Sequence, residues 1–273
     1  MLVCFGSHCI DRYHFPERDV CYAGGGSVNC AVHAQMLGIP AAFAGSAGND
    51  KAGELILREL KRYGADLSHV HIVAGNSAVC DVFVSEGERI LGDYDDGVND
   101  GYSLTEEDLR FIAGADYCLC DLWGPNQKYF PVLKKLGAVI AYDCADRDET
   151  DPRVREALPY TDIVFFSAGQ DDPVLRQRML ETKQKGPAIV AATLGEHGSI
   201  VLSDDGFTVC PACPVTSVTD TMGAGDAYAA GFQAGLYQKK SIAEAMAQGS
   251  REASETLSYH GAFPQEGDPH VYQ

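Results

Sequence analysis

The sequence predicts a doubly wound α/β fold, in which a mostly parallel sheet is covered by helices on both faces. Short apolar segments such as "DYCLC", "AVIAYDC", "DIVFFS" and "AIVAATL" are typical of buried parallel strands. Segments with apolar residues at helical spacing lie between them. Because repeated strand–helix units build a parallel sheet with two helical layers, this alternation indicates the fold class. The 273 residues fit one large domain of this kind or two smaller ones.

The first elements follow this alternation closely. "LVCFG" predicts a strand, and "SVNCAVHAQMLG" predicts a helix that stops at Gly38. "AAFAG" predicts the next strand, and "KAGELILRELKRYG" predicts a helix with one apolar face. Farther along the chain, "LTEEDLRFIAG" predicts a helix that Ser103 and Glu106 open as a capping box.

Two insertions interrupt the alternation. The segment "NSAVCDVFVSEGERILGDYDDGVND" has alternating strand-like residues around a "SEGE" turn and predicts a hairpin. Together with "RYHFPERDVCYAGG" it would form a small β-sheet, a lid made of about residues 12–23 and 75–100. Both insertions follow the ends of early strands, where α/β proteins bind their ligands. The alternative is an edge hairpin that only extends the main sheet.

The composition excludes several classes of function. A net charge of −18 argues against a nucleic-acid or anionic-membrane binder, because both need a basic surface. No apolar run approaches the roughly 18 residues that span a bilayer, and the first residues do not resemble a secretion signal. The cysteines are scattered, and only Cys210 and Cys213, in "CPAC", have metal-like spacing without a second pair. We therefore expect a cytoplasmic enzyme with reduced thiols.

Four polar or glycine-rich turns follow predicted strands, namely "SHCID", "AGGGSVN", "TLGEHGS" and "TMGAGD". The carboxyl ends of parallel strands meet at one edge of a sheet, so these turns are expected to converge on one crevice. In the last turn the backbone N–H groups of Gly223, Ala224 and Gly225 begin a helix and form a site for a phosphate. Asp226 would repel that phosphate as a ligand, and it is better suited to take a proton from an approaching nucleophile.

Other interpretations of these turns were weighed. The helix after Asp226 carries small residues at helical spacing, which would let it pack closely on a neighbour; these are Ala227, Ala230, Gly231 and Ala234. In the structural alternative this helix is packed for stability alone, and Asp226 only caps it. A dinucleotide-binding fold is disfavoured because Asn29 stands where the third glycine of that fingerprint would fall. The lysine of a Walker-type loop is also missing.

Two of these segments carry a resemblance to a known family. "AGGGSVNCAVHAQMLG" and "DTMGAGDAYAAGF" resemble the first and second signatures of the ribokinase-like (phosphofructokinase-B type) carbohydrate kinases. The resemblance covers residues 2 to 264 in the expected order. It implies a ribokinase-like fold, a single kinase domain over residues 1–273, and phosphoryl transfer from ATP with Mg²⁺.

The resemblance also implies a set of site residues. The positions that match the sugar-binding turns are Asp11, Gly25, Gly26 and Asn29. Asp226 matches the catalytic base, and Gly223, Ala224 and Gly225 match the anion hole for the transferred phosphoryl group. The nucleotide loop corresponds to Thr193, Gly195 and Gly198. A monovalent-cation site, which binds K⁺ in many members, corresponds to Asp220, the backbone near Met222, and Gly261.

One departure from the family concerns magnesium. Members usually carry an Asn-x-x-Glu motif after a middle strand, whereas this chain has Ser167 and Gln170 in those positions. The magnesium-linked role would then pass to Asp171, Asp172 or Asp143, or to water. The Mg²⁺ site is thus left open, although the reaction class is not affected.

Further segments, including "SHCIDRY", "ERILGDYDDGV", "WGPN" and "YHGAF", resemble kinases of this family that act on fructosamines. They imply transfer to the 6-hydroxyl of a fructosamine, with fructoselysine as the expected substrate and Arg89 and Asp93 of the lid as ligands. The acidic cluster Asp93, Asp95 and Asp96 would meet the positive amine of such a sugar, or it is simply a solvated turn. The alternatives are a kinase for another small sugar or nucleoside, and a non-catalytic sugar-binding regulator. Lid strands pair between subunits in many relatives, which implies a homodimer.

Overall fold

The structure, a computed structural model, describes residues 1–85 and 88–272, without the side chains of residues 84–89. Within these residues the strands form one nine-stranded sheet and a separate four-stranded sheet. Also within them, no helix combines the length and the apolar composition that a bilayer crossing requires.

The strands lie as follows: β1 (Leu2–Phe5), β2 (Cys9–His14), β3 (Asp19–Gly24), β4 (Ala41–Gly48), β5 (Val70–Val73), β6 (Val79–Ser85), β7 (Glu88–Asp95), β8 (Tyr117–Asp121), β9 (Ile140–Asp143), β10 (Ile163–Ser167), β11 (Ile189–Thr193), β12 (Ser199–Ser203) and β13 (Gly206–Cys210). The α-helices are α1 (Gly26–Met36), α2 (Lys51–Arg62), α3 (Val98–Gly101), α4 (Glu106–Ala113), α5 (Phe130–Lys135), α6 (Pro152–Ala157), α7 (Pro173–Lys183), α8 (Ala224–Tyr237) and α9 (Ile242–Thr256). Short 3₁₀ turns cover Asn126–Tyr129, Leu158–Tyr160 and Gly195–His197.

The main sheet has the strand order β13-β12-β11-β10-β9-β8-β1-β4-β5. Its neighbouring strands pair in parallel except where β12 pairs with β11 and β13. Successive residues of β1 enter two different apolar clusters, Leu2 with Val28 of α1 and Val3 with Leu109 of α4. Both faces of the sheet are therefore covered by helices, which confirms the predicted fold class.

The two insertions form the small sheet, with strand order β3-β2-β6-β7. Strands β2 and β6 pair in parallel, whereas β2 with β3 and β6 with β7 pair antiparallel. The hairpin does not extend the main sheet, so that alternative is wrong. The centre of the predicted "SEGE" turn, residues 86–87, lies outside the described residues. This small sheet is called the lid sheet below.

The start of α4 differs from the prediction. The side chain of Thr105 accepts a hydrogen bond from the Asp108 amide, and the Asp108 carboxylate accepts one from the Thr105 amide at 2.8 Å. The capping box therefore uses Thr105 and Asp108 rather than Ser103 and Glu106. Because a capping box links the N-cap residue to the third helical residue, a helix that begins at Glu106 places the two partners two positions later.

Helix α8 packs closely on α9 through the predicted small residues. A Cβ atom placed on Gly231 would lie 2.8 Å from Cα of Gly249, and one on Gly235 would lie 2.7 Å from Cα of Ala245. Larger side chains would push the helices apart, so the glycines allow this contact. The predicted close packing is confirmed, and it holds the first turn of α8 in a fixed position against the rest of the fold.

Candidate active site

The glycine-rich turn before α8 forms the centre of the site. Gly223 caps the helix in the left-handed region, with φ of 73°, and Ala224 is the first helical residue. A Cβ atom on Gly223 would lie 2.7 Å from Cα of Ala262, so both the conformation and the space require glycine. The first N–H groups of a helix have no partner within it and carry its positive end. Gly225 therefore presents an N–H group suited to an anion, and so does Ala224, whose N–H makes only a long hydrogen bond of 3.4 Å to the Thr221 carbonyl oxygen.

Asp226 lies in the first turn of α8 and contacts the first turn of α1. The side-chain amide of Asn29 donates a hydrogen bond to Oδ2 of Asp226 at 2.7 Å. A Cβ atom on Gly26 would lie 3.2 Å from Oδ1 of Asp226, so this glycine lets α1 approach the carboxylate. The sequence predicts Gly26 and Asn29 as sugar ligands, and the structure places both beside the predicted base.

Asp121, at the end of β8, is a residue that sequence reasoning missed. It is buried, and its Oδ2 accepts hydrogen bonds from the backbone N–H groups of Ser7 and Ser27 at 3.1 and 2.9 Å. The hydroxyls of the same two serines donate to it as well, at 2.9 and 2.7 Å. Burial raises the pKa of Asp121 in spite of these bonds. The one available signal was an aspartate at the end of the buried strand "YCLCD", at the edge where the turns converge.

The three aspartates proposed for magnesium lie in different surroundings. Asp171 pairs with Arg176 at 2.7 Å, and Asp172 caps α7 by accepting from the Leu175 amide at 2.8 Å. Asp143, at the end of β9, is half-buried near Asp226 and accepts from the Ala145 amide at 2.9 Å. Removal from solvent, and then the negative charge of Asp226, raise the pKa of Asp143 to about 7.

The described part of the chain contains no group of three or more His, Cys, Asp or Glu side chains that could hold a metal ion. A magnesium ion here would therefore depend on few protein ligands. This agrees with the usual binding of Mg²⁺, which takes one or two carboxylates together with phosphate oxygens and water. Among the three candidate aspartates, Asp143 is the one whose pKa is raised by burial and by the charge of Asp226.

A cavity of about 740 Å³ adjoins the glycine-rich turn. It brings together the predicted nucleotide residues Thr193, Gly195 and Gly198 with Ala224 and Gly225 of the predicted anion hole. Much of its wall is apolar, as at Val215, Val218, Ala253 and Leu257. An apolar slot that ends at a helix N-terminus suits a flat base at one end and phosphates at the other.

The residues that replace the Asn-x-x-Glu motif offer no carboxylate to this cavity. Ser167 lines it, with its hydroxyl 3.4 Å from that of Thr193. Gln170 is exposed, and its amide donates to Asp172 at 3.4 Å. The departure seen in the sequence is therefore also a departure in the chemistry of the site.

The "CPAC" segment borders the same cavity. Cys213 lines it, and a Cβ atom on Gly198 would lie 2.6 Å from the Ala212 amide, so the nucleotide loop packs directly on this segment. All ten cysteines, which lie within the described residues, are free. The thiol state stays a prediction, and the segment packs against the predicted nucleotide loop.

Asp11 lies on the lid sheet, in β2, and is buried. The thiol of Cys9 donates to its Oδ1 at 3.4 Å, and a Cβ atom on Gly24 would lie 2.9 Å from its Cγ. Gly25, with φ of 100°, caps α1 and has no room for a side chain, because a Cβ atom would lie 2.7 Å from Cα of His8. Asp11 and Gly25 thus meet at the turn that leads into α1.

Of the two lid residues predicted as substrate ligands, only Asp93 has a described side chain, and it does not lie with this group. The side chain of Arg89 lies outside the described residues. Asp93 is exposed and, with Arg12 and Asp81, borders a separate cavity of about 530 Å³. Because successive side chains of a strand point to opposite faces, this cavity lies on the face of β2 opposite to Asp11. The roles of Arg89 and Asp93 stay predictions.

Asp220 and Gly261, predicted to share a cation site, do contact each other. The Gly261 amide donates to Oδ2 of Asp220 at 3.1 Å, and the Met222 amide donates to Oδ1 at 3.0 Å. The hydroxyl of Tyr13 also donates to Oδ2 of Asp220. Since Tyr13 belongs to β2, Asp220 links the lid sheet to two segments beside the glycine-rich turn. One is the residue just before the turn, Met222, and the other is the loop after α9, at Gly261.

A family model described as pfkB family carbohydrate kinase matches residues 1–266. The chain belongs to the pfkB family of carbohydrate kinases. Its relatives in this family include "Fructoselysine 6-kinase" of Shigella flexneri, 37% identical over 262 residues that cover 96% of this chain and 99% of the relative. The protein of that name from Escherichia coli is 36% identical with the same coverage. "Fructosamine kinase FrlD" of Bacillus subtilis is 28% identical, covering 96% of this chain and 92% of its own length.

Solved structures of ribokinases have the same fold. Ribokinase of Arabidopsis thaliana, solved with ribose and ATP, superposes with a TM-score of 0.85 at 23% identity, covering 99% of this chain and 96% of the other. Ribokinase of Thermotoga maritima gives a TM-score of 0.80 at 19% identity, with 96% and 94% covered. At these identities the likeness concerns the fold alone, and it confirms the ribokinase-like architecture.

Proposed function

We propose that this pfkB family kinase transfers the γ-phosphoryl group of ATP to the 6-hydroxyl of a fructosamine, with fructoselysine as the substrate. The observation that carries the proposal is the identity of 36–37% to proteins named fructoselysine 6-kinase, which extends over 96% of the chain. The geometry of the site supports the reaction class, because Asp226 stands beside a helix N-terminus that adjoins a cavity suited to a nucleotide.

In the proposed reaction Asp226 accepts the proton of the 6-hydroxyl as its oxygen bonds to the γ-phosphorus. The bond from that phosphorus to the bridging oxygen breaks, and ADP leaves. The backbone N–H groups of Gly223, Ala224 and Gly225 stabilise the negative charge on the transferred group. Asn29 fixes the carboxylate of Asp226 through its 2.7 Å hydrogen bond. Most of the rate enhancement comes from this positioning and charge stabilisation.

Asp143 is the protein group that would hold Mg²⁺ bound with ATP, and the ion would supply neutralisation of phosphate charge. A carboxyl whose pKa is about 7 gives up its proton readily when a cation binds beside it. Asp220 is the carboxylate nearest to a K⁺ role, and its Oδ1 accepts one hydrogen bond, whereas its Oδ2 accepts two, one of them from Tyr13. No step of the proposed reaction depends on K⁺.

We also propose that the protein is a homodimer and acts in the cytoplasm. Strand β7 ends the lid sheet, and Phe83, Ile90 and Leu91 of its hairpin are 45%, 53% and 53% exposed. An edge strand with exposed apolar side chains is suited to pairing with a second copy. The ten free cysteines are consistent with a reducing compartment.

An ADP-release assay with Mg-ATP tests the substrate. The panel contains fructoselysine, another fructosamine, psicoselysine, fructose, ribose and adenosine. Turnover on fructoselysine alone supports the proposal. Turnover on a plain sugar or on adenosine is consistent with a kinase but refutes the proposed specificity for fructosamines. No turnover on any compound of the panel favours a non-catalytic regulator.

The Asp226→Asn variant tests the proposed base. We expect kcat to fall by about 10²- to 10⁴-fold, because a general base is lost. Fructoselysine binding, measured by calorimetry, should change little, since the amide keeps the shape of the carboxylate and its contact with Asn29. Near-normal turnover would refute the role of Asp226.

A further inference from the structure

A buried histidine of α1 lies next to the site without contacting the reacting groups. His33 is fully buried, and its Nδ1 lies 2.8 Å from Oε1 of Glu252 in α9. Its Nε2 lies 2.8 Å from the carbonyl oxygen of Ala262. His33 follows Asn29 by four residues, so both side chains leave the same face of α1. One helix face therefore contacts Asp226 through Asn29 and the Ala262 loop through His33.

The chemistry of the partners fixes which atoms carry protons. A carbonyl oxygen only accepts hydrogen bonds, so Nε2 of His33 is a donor. Nδ1 and Glu252 share a further proton, which lies on the ring or on the carboxyl group. The hydrogen bond to the Ala262 carbonyl thus requires the His33 ring to be held in one orientation. The contact with Glu252 holds the ring in that orientation.

The Ala262 loop is the segment against which the glycine-rich turn packs. A Cβ atom on Gly223 would lie 2.7 Å from Cα and 3.1 Å from the carbonyl oxygen of Ala262. The neighbouring Gly261 donates its N–H to Asp220, whose other oxygen accepts from Met222. A displacement of Ala262 would therefore move the glycine-rich turn in two ways, through its direct packing on Gly223 and through the hydrogen bonds of Asp220.

We propose that His33 is a positioning residue for the anion hole, and this inference rests on the proposed kinase function. Glu252 orients the ring, the ring holds the Ala262 carbonyl, and Ala262 fixes Gly223 and the start of α8. His33 touches neither substrate. Its effect is confined to the geometry of the N–H groups that stabilise the transferred phosphoryl group.

Two substitutions of His33 separate its two contacts. In His33→Gln the amide nitrogen lies close to the former Nε2 position and keeps a donor for Ala262. In His33→Asn the amide nitrogen lies close to the former Nδ1 position, so Glu252 keeps a donor and Ala262 loses it. The control is His69→Asn, which alters a histidine–carboxylate pair that joins His69 to Asp108 at 2.8 Å on α4.

The first readout is the ADP-release assay. We expect His33→Asn to lower kcat at least about tenfold, with the KM for the sugar within about threefold, because the loss falls on charge stabilisation in the transition state. His33→Gln and His69→Asn should stay within about threefold of the wild-type kcat. Equal values of kcat for the two His33 variants would overturn the proposal.

The second readout, backbone hydrogen exchange, does not depend on turnover and separates this proposal from the proposed function. We expect amides of residues 219–226 to exchange about tenfold faster in His33→Asn than in His33→Gln, because one buried hydrogen bond is lost. Unchanged exchange refutes the positioning role even when no sugar is turned over. If neither His33 variant folds, Glu252→Gln replaces them. In this variant the side-chain amide introduced at position 252 would donate to Nδ1 of His33, while Nε2 would still donate to Ala262. The amides of residues 219–226 should then exchange at the wild-type rate, and an about tenfold faster exchange would refute the inference.

Discussion

Gly223→Ala is the substitution for which the structure gives the clearest expectation. Gly223 has φ of 73° and begins the turn that presents the anion-binding N–H groups. An added Cβ atom would lie 2.7 Å from Cα of Ala262, which is backbone that cannot rotate away. The substitution therefore imposes a conformational cost and a steric one at the same position.

The two costs can be estimated separately. A non-glycine residue in the left-handed region loses about 1–2 kcal/mol, and an extra methyl group in a filled space about 1–3 kcal/mol. The free energy of unfolding should thus fall by about 2–5 kcal/mol, and Tm by roughly 4–10 °C for a domain of this size. Displacing an oxyanion donor costs about 10²–10³ in rate, so kcat should fall at least about 100-fold.

Gly38→Ala is the matched control. Gly38 has φ of 74°, almost the value of Gly223, but a Cβ atom there would meet nothing within 4 Å. It should lose only the conformational part, about 1–2 kcal/mol, and keep its kcat. The two variants are compared by their Tm in thermal denaturation and by their kcat in the ADP-release assay. If Gly223→Ala matches Gly38→Ala in both quantities, the contact with Ala262 does not shape the anion hole.

Three further predictions concern other parts of the site. Asp143 has a pKa raised to about 7, so its contribution to stability is greatest below about pH 4 and is lost as the pH rises to about 7. The Tm of the ligand-free wild type, measured relative to that of Asp143→Asn, should therefore fall between about pH 4 and pH 7. If the two curves of Tm against pH run parallel, the raised pKa of Asp143 is contradicted. Cys213 lines the nucleotide cavity, so ATP should slow its reaction with a thiol reagent in a Cys210→Ser background, and an unchanged rate would place ATP elsewhere. Ile90→Asp should convert the proposed dimer to a monomer in light scattering, whereas a monomeric wild type would refute lid pairing.

The sequence predicted those features that depend on neighbouring residues. The parallel strands, the helices between them and the glycine-rich turn before α8 each have a local signature of apolar runs, helical spacing or small residues. Asp226 and Asn29 were also found, because each lies within a recognisable segment. The capping box of α4 was misplaced by two residues, since Ser103 and Thr105 are both good N-cap residues and the contacts of Asp108 decide between them.

The contacts that the sequence did not predict join residues far apart along the chain. Asp121 lies 94 positions from Ser27, and Tyr13 lies 207 positions from Asp220. No local pattern encodes such a pair, because a buried carboxylate and its donor are brought together only when the sheet and its helices have packed. In the sequence, Tyr13 and Asp121 each resemble an ordinary strand residue, because the residues they contact lie far away along the chain.

Helix α1 shows why such distant contacts matter for a phosphoryl transfer. This reaction requires donors and base to be held within about 0.5 Å of their working positions, which a loop alone does not achieve. The glycine-rich turn leads into α8 at Gly223, and Asn29 and His33 of α1 contact Asp226 on one side of it and the Ala262 loop on the other. Since both side chains leave one rigid helix, a movement of α1 would shift base and anion hole together.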